Sequence, residues 1–144
     1  TLPRVSPDGK YLMFSMGNYG VFHLWHPESD IYVLDLGTGQ YRNVSETNSE
    51  CAESYHTWSS NGNWVVLSTR REDSGYTRLY LAHHNGDGTF DKPFALPAKN
   101  PRHSVFLMYS YNIPEFSIED VPFTAKELSG IVKNMQSEFV PYGE

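Results

Sequence analysis

The sequence predicts an all-β fold, and three observations support this prediction. A turn of the form Ser-x-[Asp/Asn]-Gly occurs twice, as Ser6-Pro7-Asp8-Gly9 and, 53 positions later, as Ser59-Ser60-Asn61-Gly62. Each turn is followed by a run of alternating side chains, the pattern of a β-strand with one buried face. The 144 residues include 11 Gly, 9 Pro and 15% aromatic residues. This combination of turn formers and strand formers is typical of β-proteins.

Four strands are predicted in each copy of the repeat. The first copy has strands at about residues 1–5, 10–15, 30–36 and 40–44, and the second at about 55–58, 63–69, 77–82 and 90–96. Internal repeats of about 40 to 50 residues with four strands each are the pattern of β-propeller blades. We therefore predict one blade at residues 1–45 and another at residues 46–97.

Two blades cannot close a ring, because known propellers have roughly four to eight. We therefore expect the chain to be the C-terminal part of a longer protein, or to be completed by other copies. In either case the open edges of the blades invite self-association.

Residues 98–144 lie outside the repeat. We predict that they form a C-terminal extension with one α-helix at about 125–136. Thr124-Ala125-Lys126-Glu127 has the form of a capping box. Leu128, Ile131, Val132 and Met135 follow at helical spacing and form one apolar stripe. We expect this stripe to dock on the sheets. Residues 100–109 are compatible with a short helix and equally with a strand.

The first repeat resembles a known family. Val5-Ser6-Pro7-Asp8-Gly9-Lys10-Tyr11-Leu12-Met13-Phe14-Ser15, followed by the strand and hairpin at 30–39, is similar to the TolB-type, WD-repeat-like propeller blade. The resemblance covers about residues 1–97, and the second copy has Ser60 and Asn61 where the first has Pro and Asp. Residues 56–61 and 109–116 also resemble the C-terminal end of uncharacterised TolB-like proteins of Bacteroides-type bacteria. The resemblance implies a bacterial envelope protein, periplasmic or associated with the outer membrane.

Composition and motifs argue against several classes of function. The net charge is −6 and no long basic run occurs, which makes nucleic acid and anionic membranes poor partners. No apolar run reaches the roughly 20 residues that span a bilayer. Cys51 is the single cysteine, and its acidic neighbours Glu50 and Glu53 oppose thiolate formation. No Gly-x-Ser-x-Gly nucleophile motif is present. We predict no catalytic residue and no cofactor.

Strand alternation assigns the long loops at 16–29, 45–55 and 70–76 to one end of the sheets. Ligands usually meet a scaffold at such loops. We therefore expect a protein or a glycan to bind at this end of a non-catalytic scaffold. The predicted contact residues are Trp25, His23, His26, His56, Arg70, Arg71 and Tyr76.

Three alternatives remain open. Some propeller polysaccharide lyases resemble these blades and use a His-rich metal site, so His23, His26 and His56 could hold a divalent metal in an enzyme of this kind. The second alternative is a calcium loop near the later hairpin, with His83 in the first ligand position and with Asn85, Asp87, Gly88 and Asp91 as its other members. An ordinary hairpin turn explains the same residues. The third is a purely structural propeller segment.

Overall fold

The computed structural model describes residues 1–100, 102, 106 and 108–135, and its strands form two antiparallel four-stranded sheets. The first sheet contains β1 Arg4–Val5, β2 Tyr11–Met16, β3 Asp30–Asp35 and β4 Tyr41–Asn43. The second contains β5 Glu53–Trp58, β6 Trp64–Thr69, β7 Arg78–His83 and β8 Phe94–Ala95. In each sheet the strands lie in their chain order. The prediction of a mostly β protein with two four-stranded units is confirmed, and the arrangement is consistent with part of a β-propeller.

The repeated turn has the same hydrogen bonds in both copies. Ser6 Oγ donates to Asp8 Oδ1 over 2.6 Å and accepts from the first backbone N–H of β2 over 3.0 Å. Ser59 Oγ donates to Asn61 Oδ1 over 2.8 Å and accepts from the first N–H of β6 over 3.0 Å. The glycine of each turn has a positive φ, +72° for Gly9 and +73° in the second copy, a conformation that favours glycine. One turn chemistry therefore starts a long strand in each sheet.

The hydrophobic core joins the two sheets. Its buried members come equally from both: Tyr11, Met13, Ile31, Val33 and Val44 from the first half, and Trp58, Val65, Leu67, Ala82 and Phe90 from the second. Polar contacts cross the same junction, because Trp58 Nε1 donates to the carbonyl of Arg4 over 3.2 Å and Ser15 Oγ donates to the carbonyl of Ser54 over 3.1 Å. Strand β5 thus lies against the first sheet, and the two repeats share one core.

Two strand boundaries differ from the prediction. Strand β5 begins at Glu53, inside the segment predicted to be a loop, because this carboxylate is buried and bonded rather than solvated. The predicted outer strand at 90–96 is reduced to Phe94–Ala95, with an isolated bridge between His84 and Phe90. Pro93 interrupts this segment, since proline has no N–H to donate to a neighbouring strand.

After the repeat, the described part of the chain returns along the second sheet. The N–H of Tyr111 donates to the carbonyl of Thr77 over 3.1 Å, and Ser68 Oγ donates to the carbonyl of Tyr111 over 3.2 Å. Further on, Glu115 accepts from Arg4 over 2.6 Å. This segment therefore links the second sheet to β1. The alternatives predicted for 100–109 fall largely outside the described residues.

Helix α1 Ala125–Asn134 confirms the predicted helix and its capping box. Thr124 Oγ1 accepts from the N–H of Glu127 over 3.3 Å, and the Glu127 carboxylate accepts from the N–H of Thr124 over 2.6 Å. The expected docking of the apolar stripe is wrong: Leu128, Ile131, Val132 and Met135 are 46% to 71% exposed. The preceding residues 117–123 are also exposed, so nothing in this part of the chain holds the helix against the sheets. No helix within the described ranges combines the length and apolar character needed to cross a membrane.

Candidate functional site

The three long loops meet at one end of the sheets, as their predicted strand order requires. The β2–β3 loop touches the start of β5, where the N–H of Glu53 donates to the carbonyl of Ser29 over 2.8 Å. The β4–β5 loop touches the β6–β7 loop, where the N–H of Arg70 donates to the carbonyl of Ala52 over 3.1 Å. Backbone hydrogen bonds therefore fix the three loops relative to one another.

A cavity of about 170 Å³ lies where these loops converge. Every loop contributes to its lining: Leu24, Trp25 and Pro27 from the first, Glu50, Cys51 and Ala52 from the second, and Arg70 and Ser74 from the third. Cys51 Sγ and Ser74 Oγ are 3.3 Å apart across two of the loops. The convergence of three loops on one concave site makes this end of the sheets the candidate functional site.

Trp25 and Arg70, both predicted contact residues, lie together at this cavity. The guanidinium carbon of Arg70 is 3.9 Å from the centre of the Trp25 ring, which is a cation–π contact. Arg70 is only 7% exposed and its buried Nε has no hydrogen-bond partner among the described residues. Burial lowers the pKa of Arg70 from its ordinary value, and Asp73 opposes this shift. The site therefore combines a desolvated positive charge with an exposed aromatic ring.

The β2–β3 loop exposes a group of large apolar side chains beside this cavity. Tyr19, Val21, Phe22 and Trp25 are 67% to 77% exposed. Phe22 also has a φ of +58°, in the left-handed region that non-glycine residues rarely occupy. Apolar side chains usually turn inward, and backbone strain of this kind concentrates at functional sites. We call these four residues the aromatic loop patch.

His23 and His26 brace this loop from within. Nε2 of His23 lies 3.4 Å from the carbonyl of Gly20, and Nε2 of His26 lies 3.2 Å from the carbonyl of Val21. The backbone adds a short 3-10 helix at His23–Trp25. The Tyr19 ring packs edge-on against His26, with ring centres 5.0 Å apart. The two histidines therefore fix the shape of the loop that carries the aromatic loop patch.

The structure does not bring the three predicted metal-binding histidines together. His56 is buried inside β5, where its Nδ1 lies 3.0 Å from the carbonyl of Ser54 and its Nε2 has no hydrogen-bond partner among the residues that the structure describes. Burial lowers the pKa of His56, partly opposed by the Ser54 carbonyl. Across the described ranges, no three His, Cys, Asp or Glu side chains are placed to hold a metal ion. The lyase alternative is therefore not supported.

Arg71 and Tyr76 lie in the same loops, but their side chains contact other groups. Arg71 Nη2 donates to Glu53 Oε1 over 3.0 Å and to the carbonyl of Thr47 over 2.5 Å. Tyr76 faces Arg78, whose guanidinium carbon is 5.3 Å from the ring centre. These contacts give both residues structural partners. Their predicted role in ligand contact stays a prediction.

The segment considered as a calcium loop has the hydrogen bonds of a hairpin turn. Asp87 Oδ1 accepts from the N–H and the hydroxyl of Thr89, over 2.9 and 2.6 Å. His83 lies 3.3 Å from Asp91, and the neighbouring His84 packs between aromatic rings of the core. These contacts use the side chains of the segment for local turn bonds and packing.

Sequence reasoning missed three members of the aromatic loop patch and the buried Glu53. Tyr19, Val21 and Phe22 carry a signal that could have found them, because large apolar residues are unusual in a Gly-rich connection. Glu53 carries no such signal. Its partners Ser49, Thr69 and Arg71 stand in three different segments.

The comparisons with known proteins find similarity to solved structures only at a low level. No protein-family model matches the chain, and no curated protein matches it. Among solved structures, TolB from Acinetobacter baumannii is similar, with a TM-score of 0.43 and 22% identity. The match covers 63% of this chain and 20% of that chain, so the chain spans about a fifth of the length of TolB.

Proposed function

We propose that this chain is a non-catalytic protein-binding module and that the loop end of its sheets is the binding surface. The observation that carries the proposal is the aromatic loop patch, which stays exposed although its loop is held in one shape. The TolB-type resemblance of the repeat further suggests a scaffold in the bacterial envelope, periplasmic or outer-membrane-associated, and this part of the proposal rests on the resemblance alone.

The construction of the loop supports a binding role. Binding hot spots are enriched in Trp, Tyr and Arg. Trp25 and Arg70 line the cavity, and the exposed Tyr19 lies on the same loop as Trp25. A loop fixed before binding loses little conformational entropy when a partner docks. The braces at His23 and His26 supply that fixation. Several large apolar side chains exposed on one loop are also typical of interaction sites.

The proposal can be tested by peptide selection on the immobilised full chain. Peptides enriched from a random display library are measured by fluorescence polarisation against the wild type and against Phe22→Ala, Trp25→Ala and Tyr41→Ala. Tyr41 is a matched control, because it is equally exposed but lies on β4 of the first sheet. We expect Phe22→Ala and Trp25→Ala to weaken binding by about tenfold or more, and Tyr41→Ala to leave it unchanged.

Two results would count against this proposal. Peptides that bind all three variants equally would show that the loop end is not the binding surface. Recovery of no binding peptide, together with Trp25-dependent binding on an oligosaccharide array, would assign the site to a glycan instead.

A further inference from the structure

Arg70 is a buried positive charge without a carboxylate partner in the described part of the chain. Among the described residues no carboxylate lies within 4.0 Å of its guanidinium, which lies over the Trp25 ring at 3.9 Å. Arginine is rarely buried unless it is paired. An unsatisfied buried polar group in a native structure calls for an explanation, which can be a functional role or a bound water or ion.

Two neighbouring arginines, Arg71 and Arg78, differ from Arg70 in having acidic partners. Arg71 lies 3.0 Å from the Glu53 carboxylate. Arg78 lies 3.7 Å from Asp73 and 4.0 Å from Glu72. Both therefore have acidic partners supplied by the chain itself, although one lies in the same loop as Arg70 and the other in the strand that follows it. Of these three arginines, Arg70 alone has no carboxylate within 4.0 Å in the described part of the chain.

The acidic groups nearest Arg70 are already engaged. Asp73 Oδ1 accepts from the N–H groups of Gly75 and Tyr76, each over 2.8 Å. Glu53 is held by Arg71. Glu50 is exposed and lines the same cavity as Arg70, so its carboxylate could compete for the guanidinium. Arg70 therefore presents a positive charge at the cavity, and the Glu50 carboxylate is a weak competitor for it within the chain.

We propose that Arg70 binds the carboxylate of an acidic residue in the bound protein segment, with the apolar part of that segment on the aromatic loop patch. This inference rests on the proposed function and specifies its partner chemistry. A guanidinium that lies over an aromatic ring can still present its N–H groups at its edge, where they match the two oxygens of a carboxylate. The cavity of about 170 Å³ has room for such a group.

The first test uses acetate as the probe. In the ¹⁵N-labelled full chain, the Nε–H signal of Arg70 is identified by its loss in Arg70→Gln. We expect this signal to shift saturably with sodium acetate, and not with the neutral analogue acetamide at the same ionic strength. Glu50→Gln should bind acetate at least as tightly, because its competing carboxylate is gone. A signal that does not respond to acetate would overturn the inference.

The second test uses the selected peptides. We expect them to contain Asp or Glu, and the acid-to-amide change in the peptide should weaken binding by about tenfold. Arg70→Gln should weaken it equally, and the two changes together should cost no more than either one alone. If Trp25→Ala abolishes binding while Arg70→Gln does not, the proposed function stands and the anion inference fails. If acetate binds Arg70 but no peptide is selected, Arg70 is an anion-binding residue and the proposed protein-binding function fails.

Stability separates a binding arginine from a structural one. Arg70→Gln removes a buried charge that has no internal partner, so we expect the urea midpoint of the free protein to stay the same or rise. Arg71→Gln removes a bonded charge and should lower the midpoint. A large loss of stability in Arg70→Gln would show that Arg70 is a structural residue and would refute the inference. Arg70→Lys, which keeps the charge but loses the planar fork, should bind with intermediate affinity.

Discussion

Glu53→Gln is expected to lower the free energy of unfolding by about 3 kcal/mol, because it breaks a buried ion pair by removing one partner. Glu53 is fully buried, and its Oε1 accepts from Ser49 Oγ, Thr69 Oγ1 and Arg71 Nη2, over 2.6, 2.7 and 3.0 Å. Its Oε2 accepts from the N–H of Ser49 over 3.0 Å. Glutamine has nearly the same shape, but its NH₂ group would face a donor where Oε2 now accepts, and Arg71 would lose its counterion.

The assay is urea unfolding followed by tryptophan fluorescence. With a denaturant dependence of about 2 kcal/mol per molar urea, the expected loss lowers the midpoint by about 1.5 M. Glu72→Gln is the matched control: this carboxylate accepts from the Tyr80 hydroxyl over 3.1 Å and lies 4.0 Å from Arg78, which keeps Asp73 as a second acidic partner. Its loss should therefore cost about 1 kcal/mol or less.

A double-mutant cycle with Arg71→Met isolates the pair. The loss in the double variant should be clearly smaller than the sum of the two single losses, because the second change no longer strands a charge. Additive losses, or a loss in Glu53→Gln no larger than in Glu72→Gln, would refute the view that this buried pair joins the loops.

Three further outcomes follow from the structure. Leu67→Ala, in the centre of the core, should cost about 2–5 kcal/mol in urea unfolding, whereas the same change at the exposed Leu36 should cost well under 1 kcal/mol. Burial keeps the pKa of His56 below its ordinary value of about 6.5; the unfolded chain therefore takes up the proton more readily, and stability is complete above that pH and falls as the pH drops below it. His56→Gln should reduce the fall in urea midpoint between pH 7.5 and 5.5. Thr124→Ala should weaken helix α1 by about 1 kcal/mol, seen as faster amide exchange at 125–134, without moving the urea midpoint, because no residue of that helix is buried.

Most of the architecture could be predicted from the sequence because the residues that specify each turn and cap are close together in the chain. The side chains of Ser6 and Asp8 and their counterparts Ser59 and Asn61 complete each turn within a few residues, so turn chemistry alone predicts where β2 and β6 begin. The capping box at Thr124 is equally local. What local signals could not give is whether helix α1 would find a surface, since docking depends on the path of the exposed residues before it.

The candidate site could be predicted only in part from the sequence. Strand order was enough to assign three loops to one end, and Trp25 and Arg70 do meet there. His56, predicted with them, is buried in β5, and the register of β5 against β6 shifts between Glu53 and His56. A bulge of this kind changes which side chains face the core, and no alternation pattern in a single strand reveals it.

Arg70 and Arg71 show why residue type alone could not define the site. Both were predicted contact residues, and as neighbours in one loop they differ in nothing that a sequence pattern can measure. Their environments are set by residues far along the chain: Glu53 takes Arg71, while Trp25, 45 positions before Arg70, covers the other guanidinium. Arg71 then holds the β6–β7 loop against Thr47 of the β4–β5 loop and Glu53 at the start of β5. The same contacts keep Arg70, which has no carboxylate partner in the described part of the chain, in place at the cavity. The ion pair of Arg71 therefore helps to hold the Arg70 guanidinium where a ligand can reach it.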